Sequence, residues 1–520
     1  MSPTRPGLAI SPRLALAGLL ALVALGPAAA ETPRAGGVLK AAIVGEPPTL
    51  DAHLTTAVMT YNIMWHVYET LYTLDRNFEP IPLLAEGHVM SDEGRRYTIK
   101  VRRGVRFHDG TELTAADVAA SLARWGRLHT VGKAVWKHVE ALEARDPLTV
   151  VFHLKAPMGS LLYGLASTFA AIYPKAIVDA AGDGPVKTVI GTGPFRFVEH
   201  KPDHHIRLAR FKDYAARAEP PNGFGGRRTA HLDEILFVPT PDVSVRTAGL
   251  ETGDYHIADQ IKQDQYERLL RVPGLELSIV RFGFWPAAVL NHKQGPMTDK
   301  RLRQAFLARL DVEPIMAAAI GHKEFYRLDG SIFQRELPWH STVGLEGYNQ
   351  RNRDKARRLL KEAGYAGQPV RWMTTQEYDY MYKAALVASQ QLEDVGFKID
   401  LQVVDWATLV QGHGKPELWD VFSTGHPVSF DPALFAALQC DWPGSWCHEE
   451  KDRLMVELAR ESDVKKRKRI IDRIQAIFYE DVGRIKFGDA FLFRAARKEL
   501  RGSFRTAPLL HFWNAWLAGR

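Results

Sequence analysis

The chain has 520 residues, 46% hydrophobic and 24% charged, with a formal net charge of +7 and a mean hydropathy of −0.20. That length exceeds one compact core and calls for two or three domains, and the composition excludes a disordered polymer or a multi-span membrane protein. A basic surplus this small, spread over this length, does not specify a nucleic-acid partner.

Arg5 and Arg13 bracket the start of an apolar run from Leu14 to Leu25, and Ala28-Ala29-Ala30 offers a small-residue cleavage site before Glu31. The run is shorter than the roughly 20 residues of a membrane span and ends in Gly26-Pro27, so residues 1–30 are expected to be a cleaved signal peptide and not an anchor. The mature chain, 490 residues with a net charge of +5, is then expected in the periplasm, with no cysteine near the cleavage point to carry a lipid.

Val38 to Ile43 reads as a strand leading into Pro47-Pro48-Thr49-Leu50-Asp51, and residues 60–72 as a helix with Ile63, Val67 and Leu71 on one face. Tyr97 to Arg102 alternates like a half-buried strand. Asp109-Gly110 then makes a turn, and Thr114 caps a helix whose third residue is Asp117. Ile190-Gly191-Thr192-Gly193-Pro194-Phe195 is a glycine-rich turn delivering a strand. A phosphate loop is rejected because no Gly-Lys-Ser/Thr follows and Pro194 removes a backbone donor. Helices are predicted from Val245 to a Gly253 cap and from Asp354 to a Gly364 cap.

The reactive residues do not assemble a catalytic constellation: there is no nucleophile elbow, no H-E-x-x-H helix and no dinucleotide fingerprint. Glu199 to His205 brings His200, Asp203, His204 and His205 together, but adjacent histidines on a strand point to opposite faces, so an exposed hairpin is expected there and no metal. Cys440 and Cys447, with Pro443-Gly444 between them, are expected to close a disulfide loop. Lys465 to Arg469 precedes Ile470, Ile471, Ile474 and Phe478 at helical spacing and reads as the solvated face of an amphipathic helix.

Strand, turn, strand, F-H-D-G turn and L-T-A-x-D-V helix, here Tyr97 to Val118, resemble the signature of the family 5 extracytoplasmic solute-binding proteins, the oligopeptide and dipeptide receptors of ABC importers. The resemblance continues in order through Gly36-Gly37-Val38-Leu39, Pro82-Leu83-Leu84-Ala85-Glu86, Gly191-Thr192-Gly193-Pro194-Phe195, Arg303-Gln304-Ala305-Phe306 and Leu359-Leu360-Lys361-Glu362-Ala363-Gly364-Tyr365, covering residues 36–510. It implies an α/β fold of the two-lobed periplasmic binding protein type (type II, cluster C-like), with a subdomain inserted in lobe 1 and a hinged ligand cleft. The expected division is lobe 1 at 31–75, 190–282 and 488–520, the insert at 76–189 and lobe 2 at 283–487. The implied function is a non-enzymatic receptor, monomeric and without cofactor or metal. It would capture a peptide or other organic solute and deliver it to an inner-membrane ABC permease and its ATPase subunits. A binding protein that serves a sensor, or a secreted hydrolase, is the alternative.

Peptide-binding members of that family commonly anchor the ligand's amino group on an aspartate a few residues before an Asp-Pro pair. Here the stretch is Thr424-Gly425-His426-Pro427-Val428-Ser429-Phe430-Asp431-Pro432, with no acid ahead of Asp431. The arginine that dipeptide receptors present to the ligand carboxylate is also missing, since Thr374 to Tyr382 contains no basic residue. The candidate ligand contacts are therefore Thr56, Met59 and Tyr61 from the first lobe, Trp285 at the hinge, and Tyr378, Tyr380, Trp406, His426, Ser429, Phe430 and Asp431 from the second. Aromatics and hydroxyls without charged clamps suit a larger, partly apolar ligand better than a plain dipeptide.

Overall fold

A computed structural model describes residues 32–503 and 506–519; the expected signal peptide lies outside the described residues. Among these, no helix is long and apolar enough to cross a membrane.

One twelve-stranded sheet runs through both lobes. In the first lobe Val38–Ile43 lies parallel to Glu234–Pro239 and to Ile257–Ala258, with His205–Arg210 and Phe195–Lys201 added antiparallel beyond. In the second, Val370–Thr374 pairs parallel with both Ile399–Val403 and Val421–Pro427. Two long strands connect them. Leu275–Leu290 pairs through Leu275 to Val280 with Asp489–Arg497, and through Phe284 to Leu290 with Val421–Pro427. Its register with Asp489–Arg497 shifts between Val280 and Phe284. Gly283 sits at that shift because the backbones touch: a Cβ there would lie 2.1 Å from the Ala490 carbonyl oxygen.

A separate four-stranded antiparallel sheet, in the order Ala85–Ser91, Arg96–Val101, Thr149–Leu154 and Val139–Asp146, forms the inserted subdomain. The helix Ala115–Leu128 packs on it and starts at a capping box, where Asp117 Oδ2 accepts from both the Thr114 N–H and its hydroxyl, at 2.8 and 2.6 Å. The other Asp117 oxygen accepts from Lys175 N at 2.7 Å, so one residue caps its own helix and steadies the start of the helix Lys175–Ala181.

Two expected elements differ. The helix read over 60–72 is Val58–Met64 and stops there. The carbonyls that would continue it are taken by the glycine-rich turn: Gly193 N donates to Val67 O at 2.8 Å and Phe195 N to His66 O at 3.1 Å. Gly191 and Gly193 make this possible, since a Cβ at either would lie 2.1 and 2.3 Å from the Val67 and His66 oxygens. The basic run is not wholly solvated either. On the helix Val464–Asp481, Arg467 falls on the same face as Ile470, Ile471 and Ile474 and is buried. The C-terminal segment returns to lobe 1, where Trp65 Nε1 donates to Leu510 O at 2.7 Å and His66 Nε2 accepts from Phe512 N at 2.9 Å.

Candidate functional site

Where the lobes and the insert meet lies a partly open cavity of about 270 Å³. Tyr61 and Trp65 contribute from lobe 1, Tyr163 and Phe169 from the insert, and Ser429, Phe430 and Asp431 from lobe 2. Tyr61, within the helix Val58–Met64, meets the Phe169 ring edge-on at 5.0 Å. Phe430 is fixed from both sides: Trp339 Nε1 donates to its carbonyl at 2.8 Å, and Phe78 stacks on its ring at 5.0 Å.

Asp431 is the acid of this wall. Its Oδ1 accepts from Arg467 Nη2 at 2.8 Å and from Ala433 N at 2.7 Å, capping the turn Pro432–Leu434. The pair is buried on both sides, and Arg467 is held between Tyr163 and Trp339, its guanidinium carbon 5.4 and 5.0 Å from their rings. Asp431 Oδ2 and the Tyr163 hydroxyl are buried without a hydrogen-bond partner, two polar atoms left on residues of an otherwise aromatic chamber. Burial raises the pKa of Tyr61, with the Asp259 charge adding to the shift, and burial likewise raises that of Tyr163, with the Asp431 charge adding, so both act as neutral hydroxyls.

Of the residues expected from sequence, Tyr61, Ser429, Phe430 and Asp431 come together here. Trp285 and His426 do not line the chamber. They oppose each other in register across Leu275–Leu290 and Val421–Pro427, ring centroids 4.4 Å apart, both buried in the core. Burial, then the charge of Arg484, holds the His426 imidazole neutral, well below its ordinary pKa. Tyr378, Tyr380 and Trp406 form a second cluster toward the lobe 2 surface, with Tyr378 against Trp406 at 4.6 Å and Tyr380 against Phe284 at 4.7 Å. Thr56 is exposed and Met59 half-buried, both outside the chamber lining. Trp65, Tyr163, Phe169 and Phe224 are wall residues that sequence reading missed. Tyr163 sits in the unremarkable apolar run Leu161–Leu165, with nothing local to mark it.

The turn from Asp431 to Leu434 separates this chamber from a second groove of about 590 Å³ between insert and lobe 2, walled by Met158, Ala433, Cys440 and Met455. Gly159 N donates to Ala459 O at 2.9 Å beside it, a main-chain bond from insert to lobe 2. Cys440 and Cys447 are joined as a disulfide. The only metal-like grouping among the described residues is these two sulfurs with Asp452, and the disulfide removes both thiolates as ligands.

A probable peptide ABC transporter periplasmic-binding protein of Sinorhizobium fredii is 27% identical over 491 residues, covering 89% of this chain and 90% of that protein. The oligopeptide-binding protein AppA of Bacillus subtilis is also 27% identical, covering 86% of this chain and 85% of its own. The crystal structure of the ABC transporter substrate-binding protein CtaP of Listeria monocytogenes superposes with a TM-score of 0.80 at 23% identity, over 94% of this chain and all of that one. The profile of the bacterial extracellular solute-binding proteins, family 5, matches residues 79–438, more than half of the chain, and the chain belongs to that family.

Proposed function

We propose that this protein is the periplasmic receptor of an ABC importer, binding a peptide or peptide-like organic solute in the interlobe chamber and passing it to an inner-membrane permease. The relatives' names, a peptide ABC transporter binding protein and an oligopeptide-binding protein, support the transport role, and the family consists of non-enzymatic binding receptors. The observation that carries the reading is the chamber itself: walls drawn from both lobes and the insert, meeting around Asp431 and Phe430.

We assign residues 31–75, 190–282 and 488–520 to lobe 1, 76–189 to the insert and 283–487 to lobe 2. The change of strand partner between Val280 and Phe284 supports a hinge at Arg281 to Gly283. Tyr61, Tyr163, Ser429, Phe430 and Asp431 are the proposed ligand contacts. Asp431 spends one oxygen on Arg467, which makes it a weaker cation anchor than a free carboxylate and disfavours a ligand held by its ammonium alone. A chamber of about 270 Å³ takes one apolar or aromatic group, so a longer solute reaches past the Asp431 to Leu434 turn into the second groove.

A thermal-shift screen over dipeptides, longer peptides, amines and glycosides tests this. A ligand at about a hundred times its Kd adds roughly 2.7 kcal/mol of stability, which the screen detects. Phe430→Ala should abolish the shift of any true ligand. Plain dipeptides giving the largest shifts would overturn the ligand class, and turnover of a tightly bound compound would overturn the receptor reading.

A further inference from the structure

The Cys440–Cys447 loop runs directly into the helix Glu449–Arg460, and the first turn of that helix brings Asp452 back to the sulfurs. One Asp452 carboxylate oxygen and the two sulfurs all lie within 4.8 Å of one another. Cys440 and Asp452 both line the groove of about 590 Å³ between insert and lobe 2, and Cys447 is exposed, so the cluster opens onto space a ligand can reach. Two thiolates and a carboxylate are a donor set for zinc-like cations, and the open groove leaves a further position to water.

Oxidised, the pair offers nothing to a cation, because the sulfurs are bonded to each other. A dithiol reductant changes that. Its thiolate attacks one cysteine sulfur, and resolution of the mixed disulfide breaks the bond. Two electrons and two protons pass to the cysteines, and the reductant leaves as its own disulfide. The freed thiols stay neighbours, since their Cα atoms are 4.6 Å apart and other bonds hold the loop: Trp446 Nε1 donates to Asp481 Oδ2 at 2.9 Å, and Gly444 O accepts from His292 N at 2.9 Å.

The carboxylate is oriented before any cation arrives. Asp452 Oδ2 accepts from His448 N at 3.0 Å, and Oδ1 pairs with Lys451 Nζ at 2.5 Å, which leaves lone pairs on both oxygens. Two thiolates, one carboxylate and a divalent cation sum to one negative charge. Lys451, fully buried and bonded also to Leu438 O at 2.9 Å, supplies the balancing positive charge.

We propose that Cys440, Cys447 and Asp452 form a redox-gated site for one thiophilic divalent cation of the zinc and cadmium class, shut while the disulfide stands and opened when a dithiol cleaves it. Each thiol gives its proton to solvent as the cation binds, and the cation then ties the loop closed in place of the disulfide and joins it to the helix. The site lies outside the solute chamber and does not depend on which solute the chamber takes.

The test uses the mature protein in two forms, disulfide-bonded and reduced with dithiothreitol, the second desalted under nitrogen. Each is titrated with zinc against a chromophoric chelator and with cadmium in the ultraviolet. The reduced form should hold one more zinc per chain than the oxidised form, and cadmium should give a thiolate charge-transfer band only after reduction. Saturating zinc should raise the unfolding midpoint of the reduced protein by about 2 °C or more and leave that of the oxidised protein unchanged. Asp452→Asn should weaken zinc binding to the reduced form by about tenfold or more. Equal zinc uptake by the two forms overturns the proposal, and so does uptake that Asp452→Asn leaves unchanged. The comparison of redox forms uses the unaltered chain and decides the matter even if Asp452→Asn does not fold.

Discussion

Phe78, at the entry to the inserted subdomain, and Phe430, on the lobe 2 wall, stack with centroids 5.0 Å apart and planes 10° from parallel. Phe78 also meets Phe282 at 4.6 Å, beside the glycine where the connecting strand shifts register. One ring thus touches both the chamber wall and the strand segment where the register shifts. A double-mutant cycle with Phe78→Leu and Phe430→Leu is expected to give a coupling energy of about 1 kcal/mol in denaturant unfolding. Additive effects would mean that the stack does not hold the lobes together.

Asp431 and Arg467 should be far more costly to separate than to remove together. Asp431→Asn leaves a buried guanidinium with no acid, and a destabilisation of about 3–5 kcal/mol is expected; Asp431→Asn with Arg467→Met should recover a good part of it. Urea unfolding of the three variants measures this, and equal losses in the single and double variants would refute it.

The disulfide closes a loop across a sequence separation of seven, which loop-closure entropy values at about 2.5 kcal/mol. Protein purified after export should show no free thiol by intact mass after alkylation without reductant, and reduction should lower its unfolding midpoint. Two alkylated cysteines in the unreduced protein would contradict the pairing.

Acid should destabilise the fold well above the carboxylate range. His66 donates from Nδ1 to Ile63 O at 3.1 Å and accepts at Nε2 from Phe512 N; His53 donates from Nε2 to Ala171 O at 3.0 Å and accepts at Nδ1 from Arg124 at 3.1 Å. Each ring is thereby fixed as the neutral form, and burial pulls both down to about 3. The unfolded chain takes up these protons near pH 6.5 and the folded one only near 3, so stability is complete above 6.5 and falls as pH drops through that window. Each histidine contributes a slope of about 1.4 kcal/mol per pH unit in its lower part. Denaturant unfolding at pH 7.5, 6 and 5 should show the decline, and a flat profile would contradict it.

Much of the fold could be read from local chemistry. Thr114 with Asp117, Gly253 after its helix and the alternation through Tyr97 to Val101 each act within a few residues, and that is the range sequence periodicity reports. The order of motifs carried the family as well, because the same strands and turns recur in register along the chain. The helix end at Met64 was not legible, since it depends on Gly191 and Gly193 arriving from well over a hundred residues away to take two carbonyls. The chamber escaped for the same reason. Nothing near Tyr163 or Phe169 tells that they will face Tyr61 and Phe430. Trp285 and His426, polar and aromatic enough to suggest a ligand, were turned inward by a strand register that only the assembled sheet fixes. Composition and spacing decide which elements form; which side chains share a cavity depends on long-range pairing, and that is settled only when the lobes meet.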